Sequence, residues 1–495
     1  MGKAKLIGSV LLSSIIVTGL VFSSIVPMTG ASFVDTEQST DNLLRCWISS
    51  TWLQTTQADF NAGVLNQVDT SSSPGDVKLA ARSDWYSTSW TRRCPTTITN
   101  NTGATLSEYQ VKVAVSYDSD MRGDFADIRF TNNDGTTLLP YWIQSYVAST
   151  SATFLVKVPS IPSGTKTIYM YYGNPVASSA SDGWNTFEFF DDFSGGLGKW
   201  TIDTENTDKV YISTSAGNPS PSLRHDPDSS QTKNSYFDTR LITKDYKILN
   251  GIIEYEVYLA GTPRIIHQLG WRVQSLNFEN GYCWRVQTAT ADGGHLRFTG
   301  KASWSPFGTA FNYVSANTWH TVKEIVSGST YTGYVDGGSA YSGTDSTKIT
   351  ADYLVSHVHG VSLTASSYVL VDNVRVRKYA SPEPTASLGS EEGMYVSSST
   401  IASQVLDTGA AGTTWDELSW NETLESGTNI TFEVRASDTV FLKDAATPDW
   451  IDLGLANSPI TAGLPSKRYM QWRATLTTSD TSKTPTLHDV TITYY

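Results

Sequence analysis

In "YQVKVAVSYD", residues Tyr109, Val111, Val113, Val115 and Tyr117 share one parity, and Gln110, Lys112, Ala114 and Ser116 share the other. A period of two with one apolar side marks a half-buried β-strand. Shorter runs follow in "DIRFT", "LPYWIQSY", "ATFLVKVP" and "TIYMYYG". They are separated by Asn133-Asp134-Gly135 and Pro162-Ser163-Gly164, residue types that reverse the chain at small steric cost. The spacing predicts an antiparallel sandwich. The alternation returns near the C-terminus in "ITFEVRASD", "RYMQWRATL" and "HDVTITYY", and the units do not repeat at a fixed period, which excludes a solenoid. The expected fold is all-β: three consecutive antiparallel sandwich or jelly-roll domains after an N-terminal apolar export helix.

That helix is read from Lys3 and Lys5, which precede an uncharged apolar run from Leu6 to Pro27 and the small-residue exit Thr29-Gly30-Ala31. This is the layout of an export signal with cleavage after Ala31. The run also approaches the ~20 residues that span a bilayer, so membrane anchorage through residues 6–27 is the alternative. Domain limits follow from breaks in pattern. Residues 1–31 are the signal or anchor, 32–84 an exported arm leading into the first domain, 85–186 a first sandwich, and 187–379 a second, larger unit. A Pro-, Ser- and Glu-rich linker, "ASPEPTASLGSEEG", is expected at 380–393, and a last sandwich at 394–495.

Composition changes this picture little. Only 17% of residues are charged, while Trp (15) and Tyr (25) are plentiful, which suits exported β proteins. The net charge of −13 repels a phosphate backbone and argues against nucleic acid as a partner. Cys46, Cys94 and Cys283 fall one to a region, without metal-ligand spacing. Cys46 with Cys94 forming one bridge and each standing as a buried free thiol are both open.

Several stretches resemble known families. "SFVDTEQSTDN", residues 32 to 42, resembles the mature N-terminus of the TasA and camelysin group of exported fibre and matrix proteins, although "LLRCWISSTW" stands where that group continues with Ala-Gly-X-Leu-Asp-Leu. "WTRRCPTTITNNTGATLSEYQVKVAV", "MRGDFADIRFTNNDGTTLLPYWI" and "TIYMYYGNPVASSASDG" together resemble a widespread extracellular domain family of unknown function, over about Trp85 to Gly183. From "FEFFDDFSGGLGKW" to "SYVLVDNVRVRKY", about Phe187 to Tyr379, the chain is similar to the concanavalin-like lectin and glucanase jelly roll, including the laminin-G type. The last unit, through "QVLDTG", "TFEVRAS" and "TPTLHDV", resembles a small sandwich module of secreted and surface proteins.

The jelly-roll resemblance raises two chemical questions. Glycoside hydrolysis needs two carboxyl groups about 5 to 9.5 Å apart, and Glu254 and Glu256 in "IIEYEVY" share a strand face about 6.5 to 7 Å apart. The glucanase pattern Glu-X-Asp-X-X-Glu is nevertheless absent, because "EYEVYL" lacks its later acids and the next strand, "HQLGWRVQ", has none. A pair of glutamates on a solvated face is the expected reading. Jelly rolls of this type also often bind a structural calcium between first and last strands, and Asp192 in "FFDDF" and Asp372 in "VDNVRV" stand in those positions. Two carboxylates with loop carbonyls suffice chemically. The alternative is that Asp191 and Asp192 cap a turn and Asp372 bonds the backbone.

His357 and His359 in "HVHG" share a face, but a zinc site takes three or four ligands and no third is apparent. Esterase, zinc-protease and P-loop signatures are missing. The rings of "TIYMYYGNPVASSASDGWNTFEFFDDF" are expected to be packing. The expectation for function is a non-enzymatic extracellular or cell-surface protein that binds glycans or neighbouring surface proteins, in the manner of an adhesin. Its aromatic candidates are Trp271, Trp284, Trp304 and Trp319. A structural subunit of a surface fibre, or a polysaccharide-cleaving enzyme, are the alternatives. Asn100, Asn421 and Asn429 head glycosylation sequons.

Overall fold

The computed structural model describes residues 49–203, 209–226, 237–261, 264–276, 280–300, 303–361, 367–454 and 457–495. The apolar run 6–27, the leader 32–42 and Cys46 lie outside them. The described residues are strands with two short helices, Gln57–Asn61 and Gly183–Thr186. No described helix is long and apolar enough to cross a membrane.

The chain divides into two compact units, one of Ala81–Met394 and one joining the residues up to Ala80 with Tyr395–Tyr495. The first contains both the small sandwich and the jelly roll. In the small sandwich, strands Leu106–Ser116, Ser151–Ile161 and Tyr141–Val147 form one sheet, facing another built around Arg92–Asn100 and Gly164–Tyr172. The parity read from the sequence sets its core: Tyr109, Val111, Val113 and Val115 are buried against Phe130, Phe154 and Met170. The expected linker is part of this sandwich, since Thr385–Leu388 pairs with Thr96–Thr99 and Glu392 is ion-paired to the buried Arg93 at 2.7 Å. Its Pro and Ser residues interrupt strands without separating domains.

In the jelly roll an eight-stranded and a seven-stranded sheet enclose one large core. The eight-stranded sheet is centred on Tyr368–Arg377 and Gly251–Ala260. The seven-stranded sheet runs Trp200–Ile202, Phe237–Ile248, Asp352–Val361, Arg264–Val273, Gly281–Gln287, Gly294–Gly300, Ser303–Pro306. Strand Phe189–Asp191, from the ring-rich opening of this unit, pairs with Tyr368–Arg377. Phe187 and Phe190 pack with Leu155 and Trp142 of the small sandwich, and Gln110 bonds Thr186 O and Lys378 N. The rings there are the joint between two sandwiches.

The second unit differs from the sequence expectation. Residues 50–80 do not lead into the first sandwich but supply strands to the C-terminal one. Ser50–Gln54 runs antiparallel to Thr486–Tyr494, and Val64–Asn66 to Thr400–Ala402. Trp472 Nε1 donates to the buried Gln54 Oε1 at 2.7 Å, and Phe60 packs edge-on against Trp472. Thr56 caps the helix between them through a capping box with Asp59. A partner about 400 residues away carries no local signal in the chain.

Candidate functional site

Alternation within the seven-stranded sheet decides which side chains meet the core. Leu269 and Trp271, Tyr282 and Trp284, Leu354 and Val358, and Leu241 belong to the core between the sheets. The opposite parity belongs to Arg240, His357, Gln268 and Arg285, which are polar. They are also in register: Arg240 stands opposite His357, His357 opposite Gln268, and Gln268 opposite Arg285. Four neighbouring strands thus place one row of polar side chains across the sheet, spanning about 14 Å at the usual strand spacing.

The row is hydrogen-bonded along its length. With its amide oriented to satisfy both neighbours, Gln268 donates to His357 Nδ1 at 2.6 Å and accepts from Arg285 Nε and Nη2 at 3.0 and 3.1 Å. Burial, together with Arg240 and Arg285, holds His357 well below the usual imidazole range, so it is neutral. Arg240 donates to Leu276 O at 3.1 Å and faces Asp203 at 3.5 Å. At the other end Arg264 binds both Asp292 oxygens, at 2.6 and 2.8 Å, and Gln287 at 3.0 Å. Against the cost of partial burial, bonds from Thr290, Gln287 and Arg264 hold Asp292 down to about 2. Opposite Arg285 stands Gly294, at φ 116°, with no side chain to cover the guanidinium. Trp304, on the edge strand, reaches toward it with 5.4 Å between Cζ and the ring centre, and is 41% exposed.

Trp304 is thus the one predicted tryptophan at this face. Trp271 and Trp284 are fully buried in the core; their parity matches Leu269 and Val286, which rules them out as exposed platforms. Trp319 is partly buried beside Tyr258, whose strand belongs to the other sheet. Arg240, Gln268 and Arg285 were not singled out by sequence reasoning. The signal was available, because "YCWRVQ" alternates large apolar residues with Cys283, Arg285 and Gln287. His357 does lie in the row, but its partner is Gln268, and the side chain of His359 lies outside the described residues.

The glutamate pair is not solvated. Glu254 and Glu256 are buried on the eight-stranded sheet, where Arg375 binds Glu256 at 3.0 Å and Glu254 at 3.3 Å, and Arg377 lies 3.5 Å from Glu254. Against burial, Arg377 and Arg375 keep Glu254 below the ordinary carboxylate range. Trp142 of the small sandwich covers Arg375, with 4.7 Å from Cζ to its ring. The small sandwich closes a face that the sequence alone leaves open.

Of the aspartates, Asp191 accepts from Trp200 Nε1 and Phe193 N at 2.7 and 2.9 Å, and Asp192 from Ser194 N and Oγ at 3.1 and 2.6 Å. Asp372 is buried and accepts from Asn218 N and Asn373 N at 2.6 and 2.7 Å. Burial, with Glu256 and Asp192 nearby, pushes it up to about 7. These hydrogen bonds are those of the alternative reading, in which Asp191 and Asp192 cap a turn and Asp372 bonds the backbone. Among the sequons, Asn100 is buried and donates to Ala104, Ile161 and Pro162 carbonyls at 2.8 to 3.1 Å, so its amide is closed to glycosylation. Asn421 is exposed beside Asp489, and Asn429 is partly buried. Cys94 and Cys283 are buried thiols.

Comparison with known proteins identifies one domain family. Residues 124–203 match the family described as "Domain of unknown function (DUF2341)", a span that crosses from the small sandwich into the first strands of the jelly roll. No curated protein sequence matches the chain. Among solved structures it is similar to the carbohydrate binding module CBM66 from Bacillus subtilis, at 14% identity and a TM-score of 0.28, over 37% of this chain and 97% of that one. It is similar to the Bacillus licheniformis beta-glucanase, at 14% identity and a TM-score of 0.30, over 39% and 98%. A Bacteroides ovatus GH16 structure, at 12% identity and 0.30, is matched over 38% and 99%. Likenesses of this size say nothing about what this chain binds.

Proposed function

We propose that the protein is an exported, cell-surface protein that binds glycans on the outer face of its seven-stranded sheet and does not cleave them. The observation that carries this is the in-register row Arg240, His357, Gln268 and Arg285 ending at the exposed Trp304 ring. A sugar offers hydroxyls that both donate and accept, and flat apolar ring faces. Guanidinium, imidazole and amide groups serve the first, and an indole the second. Glu254 and Glu256, the carboxyl pair that hydrolysis would require, are neutralised by arginines on the other sheet. Export rests on Lys3, Lys5 and the apolar run 6–27. Asp192 and Asp372 would hold a structural calcium, whose charge would relieve the crowded acids beside the last strand.

The test is a broad glycan array probed with the full chain, with and without calcium, while light scattering reports its oligomeric state. Saturable binding to one sugar class by a monomer is expected. A folded chain that binds no glycan overturns the reading, and concentration-dependent polymers in its place favour the fibre subunit.

A further inference from the structure

We infer that the glycan recognised at this face carries a carboxylate, bound by Arg285 beside the Trp304 ring. The inference rests on the glycan-binding reading and names its ligand class. Three other buried arginines among the described residues each meet carboxylates or several acceptors. Arg375 has Glu254 and Glu256. Arg272 donates to the carbonyls of Leu249, Gly328 and Lys348 and to Tyr331 Oη. Arg435 donates to Gln471 and to three loop carbonyls.

Arg285 is also buried, at 5% exposure, yet among the described residues its one hydrogen-bond partner is the Gln268 amide oxygen. The nearest carboxylate, Asp292, stands 3.7 Å from Nη1 and is already held by two closer bonds from Arg264. A buried cation without an anion within hydrogen-bond reach is costly, and burial shifts Arg285 below its ordinary range accordingly. Its Nη1 faces Asp292 at 3.7 Å, beyond hydrogen-bond reach, and Gly294 in the neighbouring strand adds no side chain there, which leaves hydrogen-bonding capacity for an incoming acceptor. A guanidinium prefers a planar carboxylate, which it can bind with two parallel bonds. Trp304, 5.4 Å away, supplies the surface for the sugar ring that bears it.

The experiment is calorimetric titration of the full chain with oligosaccharides containing galacturonate, glucuronate or sialate, each beside its methyl ester. We expect at least one acid to bind about tenfold or more tightly than its ester. Arg285→Gln should abolish that preference without lowering the melting temperature, and Arg285→Lys should keep part of it. Should the glutamine variant fail to fold, salt provides the second measurement: it should weaken binding of the acid and spare the ester. If neutral glycans bind and no acid is preferred to its ester, the inference is wrong and the glycan reading stands. If neither acids nor neutral glycans bind, the reading itself falls.

Discussion

The two sheets of the jelly roll treat charge on their outer faces in opposite ways. On the eight-stranded sheet, Arg375 and Arg377 meet Glu254, Glu256 and Glu383, and Trp142 of the small sandwich covers Arg375. On the seven-stranded sheet, Arg285 shares one amide and lies beside an exposed indole. Both faces descend from the same alternation, so the strand pattern cannot distinguish them. Completion does: Arg375 meets two carboxylates within the fold, while Arg285 meets one amide and stands beside an exposed ring.

The comparison breaks most readily at Arg375. Arg375→Leu leaves Glu256 buried without its arginine and Glu254 with Arg377 alone, and should cost about 3 to 5 kcal/mol in urea unfolding, with glycan affinity of the folded variant unchanged. Equal losses for Arg375→Leu and Arg285→Gln would erase the distinction between the faces. Trp304→Ala should weaken glycan binding by roughly 10- to 30-fold in calorimetry, about 1.4 to 2 kcal/mol, whereas Trp319→Ala on the other sheet should change it less than about twofold.

The core between the faces gives a third effect, read against pH. His267 is fully buried and bonded to Ser356 at 3.2 Å, and burial followed by His357 lowers it to about 3. The unfolded imidazole protonates near 6.5. Its contribution is therefore present above about pH 6.5 and lost as the pH falls toward 3. Relative to His267→Phe, the wild type should lose about 1.4 kcal/mol per pH unit across that window. A constant difference between pH 6 and pH 4 would contradict the buried, neutral ring. Calcium at about ten times its Kd should raise the melting temperature by about 2 to 4 °C, and Asp372→Asn should remove that gain.

What the sequence disclosed follows from the range of the interactions. The core of the small sandwich was legible at Tyr109 to Val115 because strand parity is local. The same rule, applied to "YCWRVQ", places Trp284 in the core and Arg285 outside, although tryptophan count alone suggests the reverse. Pairing was not legible where the partner is distant: Gln54 with Trp472, Glu392 with Arg93, and the small sandwich over Glu254 and Glu256. Nor was Asn100, whose sequon is indistinguishable from Asn421 until three carbonyls close around it.

The most direct measurement is a glycan array of the wild-type chain and Trp304→Ala side by side, with matched melting temperatures. The account predicts saturable wild-type binding to one sugar class that the variant loses. Binding retained by Trp304→Ala but lost on changing Trp319 would place recognition on the other sheet and contradict it.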